Sequence, residues 1–440
     1  MISGNGDQAT PGQPLPPAPT LRDLRDALVR LAAHDGTGLT EAELVDQISA
    51  MERLKSGLAA AQARLTVRFA SQRAHAEAAA GVPATQRGRG VAAEIGLARR
   101  ESPVRGAQHL GLAKALVTEM PHTMAALTRG EISEWRATLV ARETGILSRF
   151  HRSRVDAELA GKLGTAGDKR VANLARAIGY RLDPGSALRR VRGAHTDRRV
   201  GLRPAPDTMT YLTGFLPVAQ GVACHAALTR EADTRRAQGD PRTRGQIMAD
   251  TLVERITGQT TAAGVPVEIN LVMTDQTMFA GNHAPAHVDG YGPIPAPLAR
   301  RLTRTADKAW LRRLFTNPAG TDLVAIDTGR RLFTGARRQL LVARDQTCRT
   351  PWCVAPIRHA DHITPAADGG PTSTSNGQGL CETCNHAKEQ RGWRTRRLPG
   401  PSSIRQTVAT TTPTGHTHIS HPPDPPGHRV YRPPLDVVIT

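Results

Sequence analysis

The sequence predicts an α+β chain: a mostly α-helical N-terminal domain, then a small zinc-stapled module towards the C-terminal end. Three observations carry that expectation. Aromatic residues make up only 3% of the 440, while Ala and Arg abound, which favours helices packed through small side chains over a β-sandwich. Apolar residues recur at three- and four-residue steps over long stretches before residue 200. Four of the five cysteines fall between residues 348 and 384.

Taking the elements in order, residues 1–20 are Pro, Gly and polar residues and read as a disordered leader. A helical domain is expected over 21–290. Thr40 and Glu43 have capping-box spacing. Leu44, Ile48, Met51, Leu54, Leu58, Ala61, Leu65 and Phe69 then line one face of a helix ending near residue 80. That stripe is expected to be core or a seam for a partner helix, and self-association is expected through these N-terminal helices. VPATQRGRG (82–90) interrupts the pattern, and shorter helices follow to about residue 195, punctuated by Pro121 and Gly130.

TMTYLTGFLP (208–217) and VPVEINLVMT (265–274) are expected strands, with helical VACHAALTREADTRR and TRGQIMADTLVERITG between them. Cys224, alone in the first of these helices, reads as an ordinary buried thiol. The Gly/Pro-rich NHAPAHVDGYGPIPAP (282–297) marks a domain boundary, and 291–344 reads as a basic connector. From Arg300 to Arg344 the net charge is +8. The segment 399–440 is polar and Pro-rich and is expected to be disordered.

The whole chain carries +19, so a polyanion, nucleic acid first, is the expected partner. No stretch approaches the ~18 apolar residues of a membrane helix, and the N-terminus lacks a cationic start with an apolar run. Five cysteines are too few for a disulfide scaffold. The expected compartment is the reducing cytoplasm.

The chemistry is concentrated in residues 348–393, CRTPWCVAPIRHADHITPAADGGPTSTSNGQGLCETCNHAKEQRGW. Cys348-x4-Cys353 and Cys381-x2-Cys384 have the spacing of a tetrahedral four-cysteine zinc site. Thiolates ~2.3 Å from Zn2+ pin two distant loops together, which so small a module needs in place of a core. A redox Cys-x-x-Cys is the alternative, without a thioredoxin-like context here.

Between the cysteine pairs come Asp361-His362-Ile363, Pro365, the turn Asp368-Gly369-Gly370-Pro371, and Asn376. Asn385 and Lys388 follow the last cysteine. The order DHI, GG, N and LCxxCNxxK, over roughly 345–396, resembles the HNH endonuclease family, whose fold is a ββα-metal finger. The preceding chain resembles, more loosely, the helical region called domain of unknown function 222, through FLPVAQGVACHAALTREA and GDPRTRGQIMADTLVERITG. The resemblance implies an HNH module over 345–398 and metal-dependent hydrolysis of DNA. It implies His362 as general base, Asp361 and Asn385 as ligands of a catalytic Mg2+ or Mn2+, and Asn376 as the brace of the loop positioning the base.

The residue types suit that chemistry. Phosphodiester hydrolysis needs an activated water, a Lewis acid on the phosphate and stabilisation of the leaving oxygen. A neutral imidazole is a suitable base near neutral pH. Carboxylate and amide oxygens suit Mg2+ or Mn2+, whereas thiolates select zinc, so two metals can coexist. Lys388 is placed either at a phosphate or in solvent. Arg391, Arg394, Arg396 and Arg397 extend a DNA-binding surface, while Trp393 packs the module.

Two points stay open. Adjacent residues on a regular strand point to opposite faces, so Asp361 and His362 share one site only at an irregular strand end. His386 and His359 are alternative metal ligands. The competing reading is a non-catalytic, zinc-stabilised DNA-binding or regulatory protein.

Overall fold

The computed structural model describes residues 19–261, 271–279, 281–289, 291–305, 315–316, 323–325, 333, 335–399 and 405–425. All but the last two residues of the expected leader lie outside them.

Helices begin where the sequence supplies a cap. α1 (Leu21–Ala32) and α2 (Glu41–Ala79) open on capping boxes at Thr20/Asp23 and Thr40/Glu43. α3 (Val91–Arg99) follows Gly90, whose φ of +87° is left-handed. α4 (Pro103–Glu119) starts behind Ser102 and α5 (Pro121–Thr128) on a proline. α6 (Glu134–Glu143) and α7 (Arg149–Leu159) start behind Ser133 and Ser148. α8 (Asp168–Leu182) and α9 (Pro184–Thr196) complete the run.

The main core joins α2 and α4 to α8, where Leu116, Met120, Leu127, Val140, Leu159 and Val171 are buried. Each such side chain contributes roughly 1.5–3 kcal/mol. The buried carboxylate of Asp156 accepts the N–H groups of His122 (2.7 Å) and Thr123 (2.9 Å), capping α5 from α7. α2 enters this core only through small residues, Ser56, Ala59 and Ala60. Its apolar stripe is not core: Leu44, Ile48, Leu54, Leu58 and Leu65 are exposed.

β1 (Arg199–Pro204) and β2 (Thr210–Phe215) form an antiparallel hairpin that is exposed throughout. α10 (Val218–Ala237) and α11 (Arg244–Thr257) pack together. Cys224 is exposed rather than buried, because α10 buries only Ala232. Of the strand expected at 265–274, β3 (Leu271–Val272) is described, and 262–270 lie outside the described residues.

α12 (Asp275–Phe279) is followed by β4 (Ala286–Val288) and β5 (Gly292–Ile294), which join β3 in one antiparallel sheet before α13 (Ala296–Thr305). The boundary expected at 282–297 therefore falls inside a folded unit. Ala286, Ile294 and Ala299 share a small core, and the Gly/Pro segment makes a hairpin rather than a linker. β6 (Phe315–Thr316) and β7 (Leu323–Ala325) form another short pair. Lys308, Arg312, Arg313, Arg330 and Arg331 of the expected connector lie outside the described residues.

The C-terminal module opens with α14 (Gly335–Asp345). β8 (His359–His362) and β9 (Gly377–Leu380) pair antiparallel, with His362 opposite Gly377, and α15 (Glu382–Lys388) follows. β10 (Arg394–Arg397), β11 (Val408–Thr411) and β12 (Thr417–Ser420) form an antiparallel sheet. Residues 405–425, expected to be disordered, are thus ordered. Gln406 donates to Ser375 O (2.8 Å) and Gly377 O (3.1 Å), and Arg349 donates to Gln406 O (3.3 Å) and Ser420 O (3.2 Å). The Thr-rich strands are β-prone, and the surrounding prolines mask that pattern in the composition.

Candidate active site and zinc centre

Cys348 and Cys353 lie in the loop after α14, Cys381 caps α15, and Cys384 sits in its first turn. The four buried sulfurs lie within 4.8 Å of one another, with Cys353 and Cys381 3.8 Å apart. A zinc tetrathiolate with Zn–S of ~2.3 Å has sulfur–sulfur edges of about 3.8 Å. Hydrogen bonding with Cys348 lowers the Cys381 thiol and raises those of Cys353 and Cys384. Zinc binding deprotonates all four. The donor set, its closeness and its burial fit the expected structural zinc.

Asp345 holds the frame behind β9. Its fully buried carboxylate meets Arg344 (2.7 Å), Arg349 (3.0 Å) and the N–H of Gly379 (2.7 Å). Arg344 also donates to Thr374 O and Gly377 O, both at 2.8 Å. Arg344, the last residue of the expected basic connector, is therefore occupied inside the module.

Asn376 is buried between β8 and β9. Its side chain accepts from Thr364 N (2.9 Å) and donates to Thr364 O (3.0 Å) and Pro371 O (2.9 Å), closing the loop 364–371. Gly370 lets this loop close: a Cβ there would lie 2.0 Å from Thr364 O. His362 ends β8, with Nε2 2.9 Å from Thr372 Oγ1 and the ring 4.7 Å from that of Phe333. Its carbonyl accepts from Lys388 Nζ at 2.9 Å.

Asp361 turns the other way. Its Oδ2 lies 2.5 Å from Lys388 Nζ on α15. β8 keeps regular pairing to its last residue, so Asp361 and His362 leave it on opposite sides. Among the described contacts the His362 ring meets Thr372 and Phe333, not Asp361. Asn385, one turn before Lys388 on α15, has a buried Oδ1 that accepts no hydrogen bond among the described residues. His359 and His386 approach each other, ring centroids 6.4 Å apart, with His359 on the Asp361 face of β8.

Lys388 departs from the expectation of a phosphate or solvent contact. Its side chain is 8% exposed and faces Asp361, His362 and Glu389. Arg391, Arg394 and Arg396 are exposed, the last two on one face of β10. Trp393 does more than pack the module, because it lies against Ala93 and Leu97 of α3 together with Ala387. Thr372, Phe333 and Asp345 were not singled out in the sequence. Thr372 sits in a uniformly polar run, and the other two precede the motif.

Two families match the chain. The one described as Domain of unknown function (DUF222) matches residues 22–345. HNH endonuclease matches residues 346–391. No curated protein matches the chain, and no solved structure does. Among the described residues no helix is long and apolar enough to cross a membrane.

Proposed function

The chain belongs to the DUF222 family and carries an HNH endonuclease module after it, and from that premise we propose that it is a metal-dependent endonuclease hydrolysing DNA phosphodiesters. The observation that supports this most is the pair of hard oxygens on β8 and α15. Asn385 Oδ1 is buried without a donor among the described residues, and the Asp361 carboxylate has already drawn a cation, the Lys388 ammonium. A buried acceptor left unpaired costs roughly 1–3 kcal/mol, which a bound cation relieves. Asp361 and Asn385 would hold Mg2+ or Mn2+, and the ion supplies Lewis-acid polarisation of the phosphate and charge at the leaving oxygen.

In this reading His362 takes the proton of the attacking water at its unprotonated nitrogen. Thr372 and Phe333 orient the ring, and the Thr372 hydroxyl marks where an O–H group meets Nε2. Asn376 holds the loop carrying Thr372, and Lys388 ties the backbone of the base to α15. Zinc held by the four cysteines would anchor the start of α15, which carries Asn385. A reducing, cytoplasmic setting keeps those thiolates available to the metal. Arg391, Arg394 and Arg396 are assigned to DNA phosphate; Lys388 is not.

One observation favours the non-catalytic DNA-binding reading: Asp361 and His362 leave β8 on opposite sides. A plasmid-nicking assay with Mg2+ or Mn2+ on zinc-loaded protein separates the two. Nicking supports the enzyme. DNA binding without nicking supports the zinc-stabilised reader.

A further inference from the structure

We infer that the outward face of α2 is a dimer interface, on which a second copy of this chain packs antiparallel. The inference is independent of the nuclease reading.

α2 has two apolar faces with different partners. Ser56, Ala59 and Ala60 face the chain's own core. On the other side Leu44, Met51, Leu54, Leu58, Ala61 and Leu65 step by seven and then by alternating three and four. That is a 3.5-residue period, the a/d seam of a left-handed coiled coil. In an ordinary coiled coil the opposite face meets water. Here the opposite face is the buried one and the four leucines of the seam are exposed, with Leu54 at 49% and Leu65 at 69%, while Met51 and Ala61 are half-buried. A seam of this period has a helix as its natural partner.

α1 repeats the device. Leu21, Leu24, Leu28 and Leu31 step by three, four and three, all are exposed, and α1 buries no residue. A helix of 12 residues is marginal alone in water. Covering by a second copy supplies what both helices lack.

The charges select the partner and its direction. Residues 41–52 of α2 hold four acidic and no basic side chains, whereas residues 53–73 hold five basic and no acidic ones. An antiparallel two-fold sets the acidic stretch of each copy beside the basic stretch of the other. A parallel pair sets like beside like. One helix carrying both complementary halves is matched best by itself.

The test is the oligomeric state of the full chain, by light scattering and sedimentation equilibrium. Reductant is present, because Cys224 is exposed and free to form a disulfide. The wild type is expected at twice the chain mass. Leu54→Glu with Leu58→Glu is expected to be monomeric with unchanged far-ultraviolet dichroism and zinc content. A monomeric wild type, or a dimer unaffected by that pair, overturns the interface. If the double variant loses helicity, Leu54→Ala with Leu65→Ala decides. A raised dissociation constant at unchanged helicity supports the interface, and an unchanged constant overturns it. Spin labels at Val45 are expected far apart, and adjacency overturns the antiparallel direction.

Discussion

Lys388 is ion-paired to Asp361 at 2.5 Å while the same ammonium donates to the carbonyl of His362 at 2.9 Å. One lysine thus contacts both members of the Asp-His pair from α15. It occupies a carboxylate oxygen assigned to the catalytic ion and ties down the backbone of the assigned base. Lys388→Met should separate these effects. The Mg2+ concentration giving half-maximal nicking should fall, because a competing cation is gone. The maximal rate should fall too, because His362 loses its tether. A metal titration of nicking checks both. An unchanged half-saturation would remove Lys388 from the metal's neighbourhood.

His362→Ala should lower nicking by ~10²–10⁴-fold, the usual cost of losing a positioned base. Zinc content and DNA affinity should stay near wild type, since the ring meets only Thr372 and Phe333 among the described contacts. Elemental analysis and a binding assay on the nicking samples check this. Wild-type nicking by the variant would end the proposed mechanism.

Cys381→Ala should behave differently. It removes one of four clustered thiols and the cap of α15 together. Zinc should be lost and the module destabilised, with nicking falling as a consequence. Hydrogen exchange after chelation should show loss of protection across 335–425, while the buried residues of α4 to α8 stay protected. Full zinc retention in the variant would refute the four-cysteine site.

Asn376→Ala should destabilise the module by about 1–3 kcal/mol, because three backbone groups lose their partner. Nicking should fall at temperatures where the variant remains folded, since Thr372 loses its fixed loop. Thermal unfolding read beside the nicking rate checks this.

DNA affinity should fall steeply with salt, and Arg394→Gln with Arg396→Gln should reduce the slope of log affinity against log salt by about 1 per arginine. A slope untouched by the pair would move the DNA surface elsewhere.

The candidate site residues were legible because spacing marks them. Cysteine pairs at fixed separation and the ordered Asp-His, Asn and Cys-Asn positions mark the module, and the four sulfurs do converge. The capping-box spacing of Thr40 and Glu43 marked the start of α2 for the same local reason. What periodicity cannot tell is which side of a helix its own domain uses. The stripe from Leu44 to Leu65 is apolar and regular, yet α2 is held to the core by Ser56, Ala59 and Ala60. Long-range pairing was equally silent. Nothing near Gln406 announces that its amide reaches Ser375, so a Thr-rich segment among prolines reads as tail rather than as β11 and β12. Arg344 and Lys388 look like surface cations in sequence, and only tertiary structure supplies Asp345 and Asp361 beside them.

Trp393 lies between the module and α3, and a Cβ on Gly90 would come within 2.9 Å of its indole nitrogen. A seat that tight leaves no hinge at this point between the HNH module and the helices before it. On the proposed nuclease reading, anything held by the helical domain would meet His362 at one fixed offset and one angle, and the chain would work as a gauge.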